Sequence, residues 1–192
     1  PDDHKVNTAY NTFLDTFGEE GNLIIYGVKD SLLFTPEKFN AWNSLSKELG
    51  QAPEIDLSLS VGDLQKLKKR TDSIGFKMVP LVTDSILSKK QLKKLQYELF
   101  EKLPFYSGLV YSPDKKSVRT ALYLKKDIVN TPARKIFIEK VLIPKIVAFE
   151  KETGMKVYTS GMPYIRTLNS QNIIDEIGMF IVAAVLVTSI IF

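Results

Sequence analysis

The chain has 192 residues, of which 44% are hydrophobic and 25% charged, and this composition excludes an intrinsically disordered protein. Its net charge of +4 comes from several lysine-rich segments, which we interpret as solvated faces. Because no segment has the glycine and aromatic pattern of an RNA-recognition strand, nucleic acid is not a predicted partner. The absence of cysteine excludes disulfides, thiolate metal sites and a cysteine nucleophile.

The first third of the chain predicts a helix followed by a β-α-β unit. Apolar residues at helical spacing indicate a helix at 6–17, and the β-branched run 22–28 indicates a buried strand. Thr35-Pro36-Glu37 predicts a capped helix start, with Gly50 at the end. The alternation of apolar and polar residues at 55–61 predicts a strand with Ile55, Leu57, Leu59 and Val61 on one face.

In the middle of the chain, the secondary structure of one segment is ambiguous, and a predicted helix follows it. The apolar cluster 76–82, within the segment 62–85, is compatible with an edge strand or with a loop. Ser88 and Gln91 then have the spacing of a capping box, which predicts a helix with leucines on one side that ends before Pro104.

A second unit of similar kind follows. Pro144 lies inside its helix, where the proline ring clashes with a carbonyl one turn earlier, so we expect a kink near Lys140. The predicted elements are strands at 106–112 and 117–124 joined by a turn at 113–116, a helix from Thr131-Pro132 to Gly154, and a strand at 156–160.

These two β-α-β-like units predict an α+β fold. One sheet with its helices on one face, of the split β-α-β or ferredoxin-like kind, would accommodate both units.

The C-terminal residues 179–192 form an apolar run. They carry no charge, and Thr188 and Ser189 are their only polar residues. The run is shorter than the roughly 20 residues that cross a bilayer. It is compatible with a core helix of a soluble domain, but we predict the start of a transmembrane helix in a piece of a larger protein.

No pattern in the sequence predicts catalysis. His4 is the single histidine and lies in a polar stretch, so the usual zinc and hydrolase constellations cannot be assembled. Neighbouring carboxylates such as Asp2 and Asp3 point in different directions, and the glycines form no phosphate-binding loop. We therefore predict a protein that is not an enzyme, with no metal and no cofactor.

Several of these features together resemble a known family. They are Phe17-Gly18, the run Asn22-Leu23-Ile24-Ile25, the helix start Thr35-Pro36-Glu37, the segment Thr159-Ser160-Gly161-Met162-Pro163, and the polar stretch and apolar run that follow. In this order they resemble the extracytoplasmic porter domain of the resistance-nodulation-division superfamily, on its MMPL-like branch of predicted exporters.

The resemblance implies a proton-driven exporter of lipids or other hydrophobic compounds in a bacterial inner membrane, with residues 1–170 on the periplasmic side. It implies an amphipathic helix at 1–20 that follows a first transmembrane helix, a porter domain at 21–168, and a connector with the truncated second transmembrane helix at 169–192. The implied partners are the remaining transmembrane and porter domains, membrane lipids and the hydrophobic substrate. The oligomeric state stays open and includes a homo-oligomer. The proton-relaying carboxylates of the family lie in a later helix.

Two groups of residues are candidates for function. Phe76, Met78, Phe105 and Tyr106 are candidate lining of a substrate path, with ordinary core packing as the alternative role. Arg166 would contact lipid headgroups, pair with an acid of the connector, or be solvated. The candidate membrane-entry connector consists of Gly161, Met162, Pro163, Arg166, Asp175 and Glu176.

Two other functions remain open. One is an extracytoplasmic ligand-binding or sensor domain of a membrane receptor, and the other is a free ferredoxin-like binding protein with an apolar core helix at its C-terminus.

Overall fold

The computed structural model describes Thr12 and residues 21–71, 74–82, 85, 86 and 88–191, in a mixed α+β fold. The predicted helix at 6–17 lies outside these residues, apart from Thr12, which is helical. The described strands are β1 (Leu23–Val28), β2 (Ile55–Leu59), β3 (Gln65–Lys69), β4 (Phe76–Pro80), β5 (Val118–Leu124) and β6 (Val157–Ser160). The described helices are α1 (Pro36–Gly50), α2 (Lys89–Tyr97), α3 (Lys126–Val129), α4 (Pro132–Phe137), α5 (Ile143–Thr153) and α6 (Met162–Ile191).

Four of the strands form one antiparallel sheet in the order β2-β5-β1-β6, and β3 pairs with β4 in a separate hairpin. β1 is central because it pairs with β5 on one side and with β6 on the other. β5 is central as well, since its second edge pairs with β2. The two units β1-α1-β2 and β5-α4-α5-β6 therefore interleave their strands in a single sheet.

The strand directions separate two ends of this sheet. The first residue of β1, Leu23, lies at the same end as the last residues of β5 and β6, because both strands run antiparallel to β1. The chain enters α6 at this end. Val28 and Val118 mark the opposite end, where the segment 60–117 leaves β2 and returns to β5.

One face of the sheet holds the core. α1 and α5 pack over this face, with the Trp42 ring centred 5.3 Å from the ring of Tyr26 and 5.6 Å from that of Phe149. Burial of a side chain such as Phe149 contributes about 1.5–3 kcal/mol. The buried residues of the two central strands are Ile24, Tyr26, Val28, Val118, Thr120, Leu122 and Leu124, and the last four share one face as predicted.

A short polar network lies inside this core. The Tyr26 hydroxyl donates a 3.4 Å hydrogen bond to Ser46, and the hydroxyls of Ser46 and Thr120 share a hydrogen bond of 2.8 Å. All three side chains are buried. Because burial disfavours the phenolate, desolvation raises the pKa of Tyr26 from 10.0 to about 12, and the hydrogen bonds only partly oppose this.

We expect the free energy of unfolding to fall as pH rises from 10.0 to about 12. In the unfolded chain Tyr26 ionises at its ordinary pKa. The stability that the neutral, buried Tyr26 contributes is therefore complete below that pKa. It is lost as pH rises through the pKa of the folded state, by roughly 3 kcal/mol in total. Urea unfolding at a series of pH values in the wild type and in Tyr26→Phe measures the effect. The variant should lack this part of the decline, and equal declines in both proteins would contradict it.

The other face of the sheet is more open, and here one sequence prediction is wrong. A bulge in β2 between Ile55 and Leu57 places Leu57 opposite Tyr123 and Ser58 opposite Leu122. Leu57 is therefore 58% exposed, on the face away from the core. The predicted single face of Ile55, Leu57, Leu59 and Val61 fails because the bulge adds one residue and reverses the alternation.

The segment 60–117 contains the hairpin and α2. Of the two alternatives for 76–82, the strand is correct, because Phe76–Pro80 is β4. The predicted strand at 106–112 is wrong. Pro104–Tyr106 form a 3-10 turn and Gly108 has a φ of 82°. β2 pairs with β5 only at residues 121–124. Beside Val118 the segment 106–112 forms isolated bridges in place of a strand, from Ser107 to Tyr111 and from Tyr111 to Val118.

Two π-helical turns extend the helices. Glu98–Lys102 continues α2, and Ile138–Leu142 joins α4 to α5. The second turn contains Lys140, the position where Pro144 predicts an irregularity, since the proline ring clashes with the carbonyl four residues earlier. Gly154 ends α5 with a φ of 70°, as predicted.

Candidate functional site

A cavity of about 580 Å³ lies between the hairpin and the helical segment that follows α2. We call it the apolar cleft. β3 and β4 supply one wall, and the π turn and the 3-10 turn after it supply the other. The lining residues are Gln65, Lys66, Leu67, Met78, Glu98, Lys102, Leu103, Phe105 and Tyr106.

The hairpin wall is apolar on one face only. Leu67 and Met78 are register partners, so their side chains project from the same face, and they are 69% and 58% exposed. Phe76 lies on this face as well, opposite Lys69, and is 68% exposed. Three large apolar side chains exposed side by side on a two-stranded hairpin indicate a surface that contacts something apolar.

The opposite wall is an aromatic pair. The rings of Phe105 and Tyr106 meet edge to face with centroids 5.4 Å apart. Their 3-10 turn begins at Pro104, and the Tyr111 hydroxyl donates a 3.2 Å hydrogen bond to the carbonyl oxygen of Leu103, which holds the start of the turn. Phe105 remains 79% exposed, so its ring is available to a ligand in the cleft.

An ion pair joins the two walls. The Lys66 ammonium donates to a carboxylate oxygen of Glu98, and both side chains are partly buried. A partly exposed pair of this kind contributes at most about 1 kcal/mol, so it orients the hairpin more than it stabilises the fold.

The structure brings together three of the four predicted substrate-path residues. Met78, Phe105 and Tyr106 line the apolar cleft, whereas Phe76 lies farther along the same hairpin face and is not part of the lining. Leu67 was not predicted. Its strand reads Gln-Lys-Leu-Lys-Lys, and the single apolar residue between lysines is the only signal that could have identified it.

The predicted connector lies at the other end of the sheet. Residues 162–176, predicted as a connector followed by a polar stretch, belong to one continuous helix, α6. Pro163 and Thr167 are buried in its first turns, which contact β1, β6 and α4, and the Thr167 hydroxyl donates a 2.9 Å hydrogen bond to the carbonyl oxygen of Pro163. Gly161 forms the turn before the helix with a φ of 124°.

The other connector residues are spread along α6. Met162 is 48% exposed, and the side chains of Arg166 and Glu176 are exposed, whereas the side chain of Asp175 lies outside the described ones. Nine and ten residues of helix separate Arg166 from the two acids by about 14–15 Å. The exposed side chains of Arg166 and Glu176 are therefore too far apart to form an ion pair.

The C-terminal part of α6 is apolar and exposed. Between Ile177 and Ile191 the helix carries no charged residue, and Phe180 and Ile190 are 76% and 83% exposed. None of the helices in the described part of the chain is both long enough and apolar enough to span a membrane.

The described residues contain no cluster of three or more histidine, aspartate or glutamate side chains that could hold a metal ion. His4 lies outside them.

Comparison with known proteins gives no further guide: no protein-family model matches this chain, and no curated protein matches it.

Proposed function

We propose that this chain is an extracytoplasmic porter-type domain of a proton-driven inner-membrane exporter for lipids or other hydrophobic compounds, of the resistance-nodulation-division, MMPL-like kind. Its partners would be the other transmembrane and porter domains of the same protein, membrane lipids and the substrate. The observation that carries the proposal is the uncharged part of α6 from Ile177 to Ile191. Its large apolar side chains up to Ile190 are exposed, and it is attached to a domain with a basic, lysine-rich surface.

This part of α6 is suited to an apolar medium. Its apolar side chains, including Phe180 and Leu186, are exposed around the helix, so in water each would lose the favourable free energy of burial. Fifteen residues extend about 22 Å, which reaches well into a hydrocarbon core of roughly 30 Å. The acidic residue Glu176 precedes this part and would lie at the water-facing end, where charge is tolerated.

The strand order and the placement of the helices also support the proposal. We propose that the sheet is of the ferredoxin-like, split β-α-β type, supported by its strand order β2-β5-β1-β6 and by the helices of both units over one face. The segment 60–117 is then an insertion between the two units. It leaves the sheet at the end opposite α6, so the apolar cleft would face away from the membrane.

The position and lining of the apolar cleft suit a hydrophobic substrate that has already left the bilayer. Leu67 and Met78 on one wall and Phe105 on the other present apolar surface to the cleft. Such a surface binds by excluding water and does not select a particular headgroup.

The test is export of a fluorescent phospholipid by cells that express the intact protein. Met78→Gln should slow export by roughly tenfold at low substrate, because it removes about 1.4 kcal/mol of apolar contact. Leu57→Gln is the matched control, since Leu57 is also 58% exposed on a strand but lies outside the cleft. Export that does not depend on the intact protein would overturn the exporter function and favour a sensor domain. Equal export by Met78→Gln and Leu57→Gln would mean that the substrate does not pass through the apolar cleft.

A further inference from the structure

The hairpin has a second face, and it is basic. Lys66, Lys68 and Lys77 project from the face opposite Leu67 and Met78, because side chains alternate along a strand. Lys68 and Lys77 are direct register partners. Like charges placed directly opposite each other destabilise a strand pair, and an anion bound beside them would remove that repulsion.

A cavity of about 620 Å³ lies on this face, between the hairpin and α2. We call it the basic cavity. Lys66 and Lys68 border it from β3 and Lys94 borders it from α2. Among the described residues that line it, Glu98 is the one acid, and it already pairs with Lys66. Lys68 and Lys94 have no ion pair within the described part of the chain, so two ammonium groups remain available to a ligand.

The rest of the lining indicates what the anion carries. Val82, Ile86 and Leu95 supply apolar surface next to the lysines, and Ser85 adds a hydroxyl group. A bare inorganic ion would leave that apolar surface in contact with water. An organic anion would place its charge beside Lys68 and Lys94 and its substituent against the apolar residues.

The basic cavity lies far from the start of α6, so a membrane that α6 entered would not supply its ligand. The cavity belongs to the segment 60–117, which leaves the sheet at the end opposite the start of α6. Its ligand must therefore be a molecule that reaches this end of the domain.

We propose that the basic cavity binds a phosphate ester, with the phosphate group held by Lys68 and Lys94 and the organic substituent against Val82, Ile86 and Leu95. Phosphate provides several strong acceptor oxygens and a charge that matches two lysines. The site does not rest on the proposed exporter function, because every residue that forms it lies within the segment 60–117.

Calorimetric titration of the full chain in a non-ionic detergent tests the proposal. The probes are inorganic phosphate, hexyl phosphate and short-chain dihexanoyl phosphatidic acid. Hexyl phosphate or phosphatidic acid should bind more tightly than inorganic phosphate, and binding should weaken as salt is added. Tighter binding of hexyl phosphate supports a small soluble ester as the source of the phosphate group. Tighter binding of phosphatidic acid supports a lipid headgroup.

Variants locate the site. Lys68→Gln and Lys94→Gln should each weaken binding about tenfold, the effect of removing one charged hydrogen-bond donor. Lys126→Gln and Lys151→Gln change the charge equally on exposed positions of α3 and α5, and they should leave the affinity unchanged. Unchanged thermal unfolding would show that all four variants are folded. No binding of either ester, or equal weakening by both pairs of variants, would overturn the proposal.

Discussion

Replacement of Gly161 with alanine is expected to destabilise the domain by roughly 3 kcal/mol or more, the upper range for a strained backbone position. Gly161 joins β6 to α6 with a φ of 124°, a conformation that residues with a Cβ rarely adopt. A Cβ at this position would overlap the carbonyl oxygen of Leu23 and lie 2.9 Å from the Cα of Ile24. Both strain and collision therefore oppose the substitution.

The collision cannot be relieved by a small side-chain movement. The atoms in the way belong to the backbone of β1, which pairs with β5 on one side and with β6 on the other. Moving β1 would break hydrogen bonds of the central ladder. Moving Gly161 instead would shift the first two turns of α6, in which Pro163 and Thr167 are buried against the domain.

Substitutions at two other glycines separate the effect of backbone strain from that of the steric collision. Gly154 has a φ of 70° but nothing within 4 Å of an added Cβ, so Gly154→Ala reports strain alone, about 1–2 kcal/mol. Gly178 lies inside α6 with nothing within 4 Å, and alanine there should be neutral or stabilising by up to about 1 kcal/mol.

Urea unfolding followed by fluorescence of Trp42, the single tryptophan of the chain, measures all three variants. This residue lies in the core between Tyr26 and Phe149, so its signal reports the packing of α1 and α5 on the sheet. If Gly161→Ala lost no more stability than Gly154→Ala, the close approach of Gly161 to β1 would be contradicted.

Local signals in the sequence predicted much of the secondary structure. Thr35-Pro36 and Thr131-Pro132 mark the starts of α1 and α4, although neither threonine side chain makes a capping hydrogen bond. The fixed φ of proline is therefore the effective part of that signal. The capping box of Ser88 and Gln91 is present as predicted, with both reciprocal hydrogen bonds.

The failures share a different cause, which is pairing between distant segments. The bulge beside Leu57 depends on how β2 pairs with β5. The segment 106–112 folds back on itself through a bridge from Ser107 to Tyr111 and meets β5 only at Val118. No local pattern in the sequence reports either pairing. The apolar cleft shows the same limit. Met78 and Phe105 could be chosen as apolar residues between two units, but Leu67 joins them only through its register with Met78.

Replacement of Leu186 with arginine is expected to reduce binding of the chain to lipid vesicles by roughly 100-fold. Leu186 lies in the uncharged part of α6 and is 59% exposed. In water, an exposed leucine can be replaced at a cost within about 0.5 kcal/mol. At the centre of a membrane-inserted helix an arginine costs about 2.5–3.5 kcal/mol, which corresponds to the expected loss of binding. The substitution therefore distinguishes a helix that enters lipid from one that stays in water.

Vesicles of neutral phosphatidylcholine are required for this measurement, because the chain carries a net charge of +4 and anionic lipid would attract its lysines without insertion. Flotation of the full chain with these vesicles on a density gradient, over a series of lipid concentrations, yields the partition coefficient of each variant. Unfolding in urea by Trp42 fluorescence should give the same free energy for both proteins, since Leu186 is remote from the core.

Leu109→Arg is the matched control. Leu109 is 52% exposed, close to the value for Leu186, but it lies in the segment 60–117 at the opposite end of the sheet. Its replacement should leave vesicle binding within about twofold of the wild type, as a surface substitution away from the bilayer does. Equal binding by the two variants would mean that the apolar part of α6 does not enter the bilayer. The exporter function would then lose the observation that carries it, whereas a large loss confined to Leu186→Arg would place this helix in lipid and the sheet at the membrane surface.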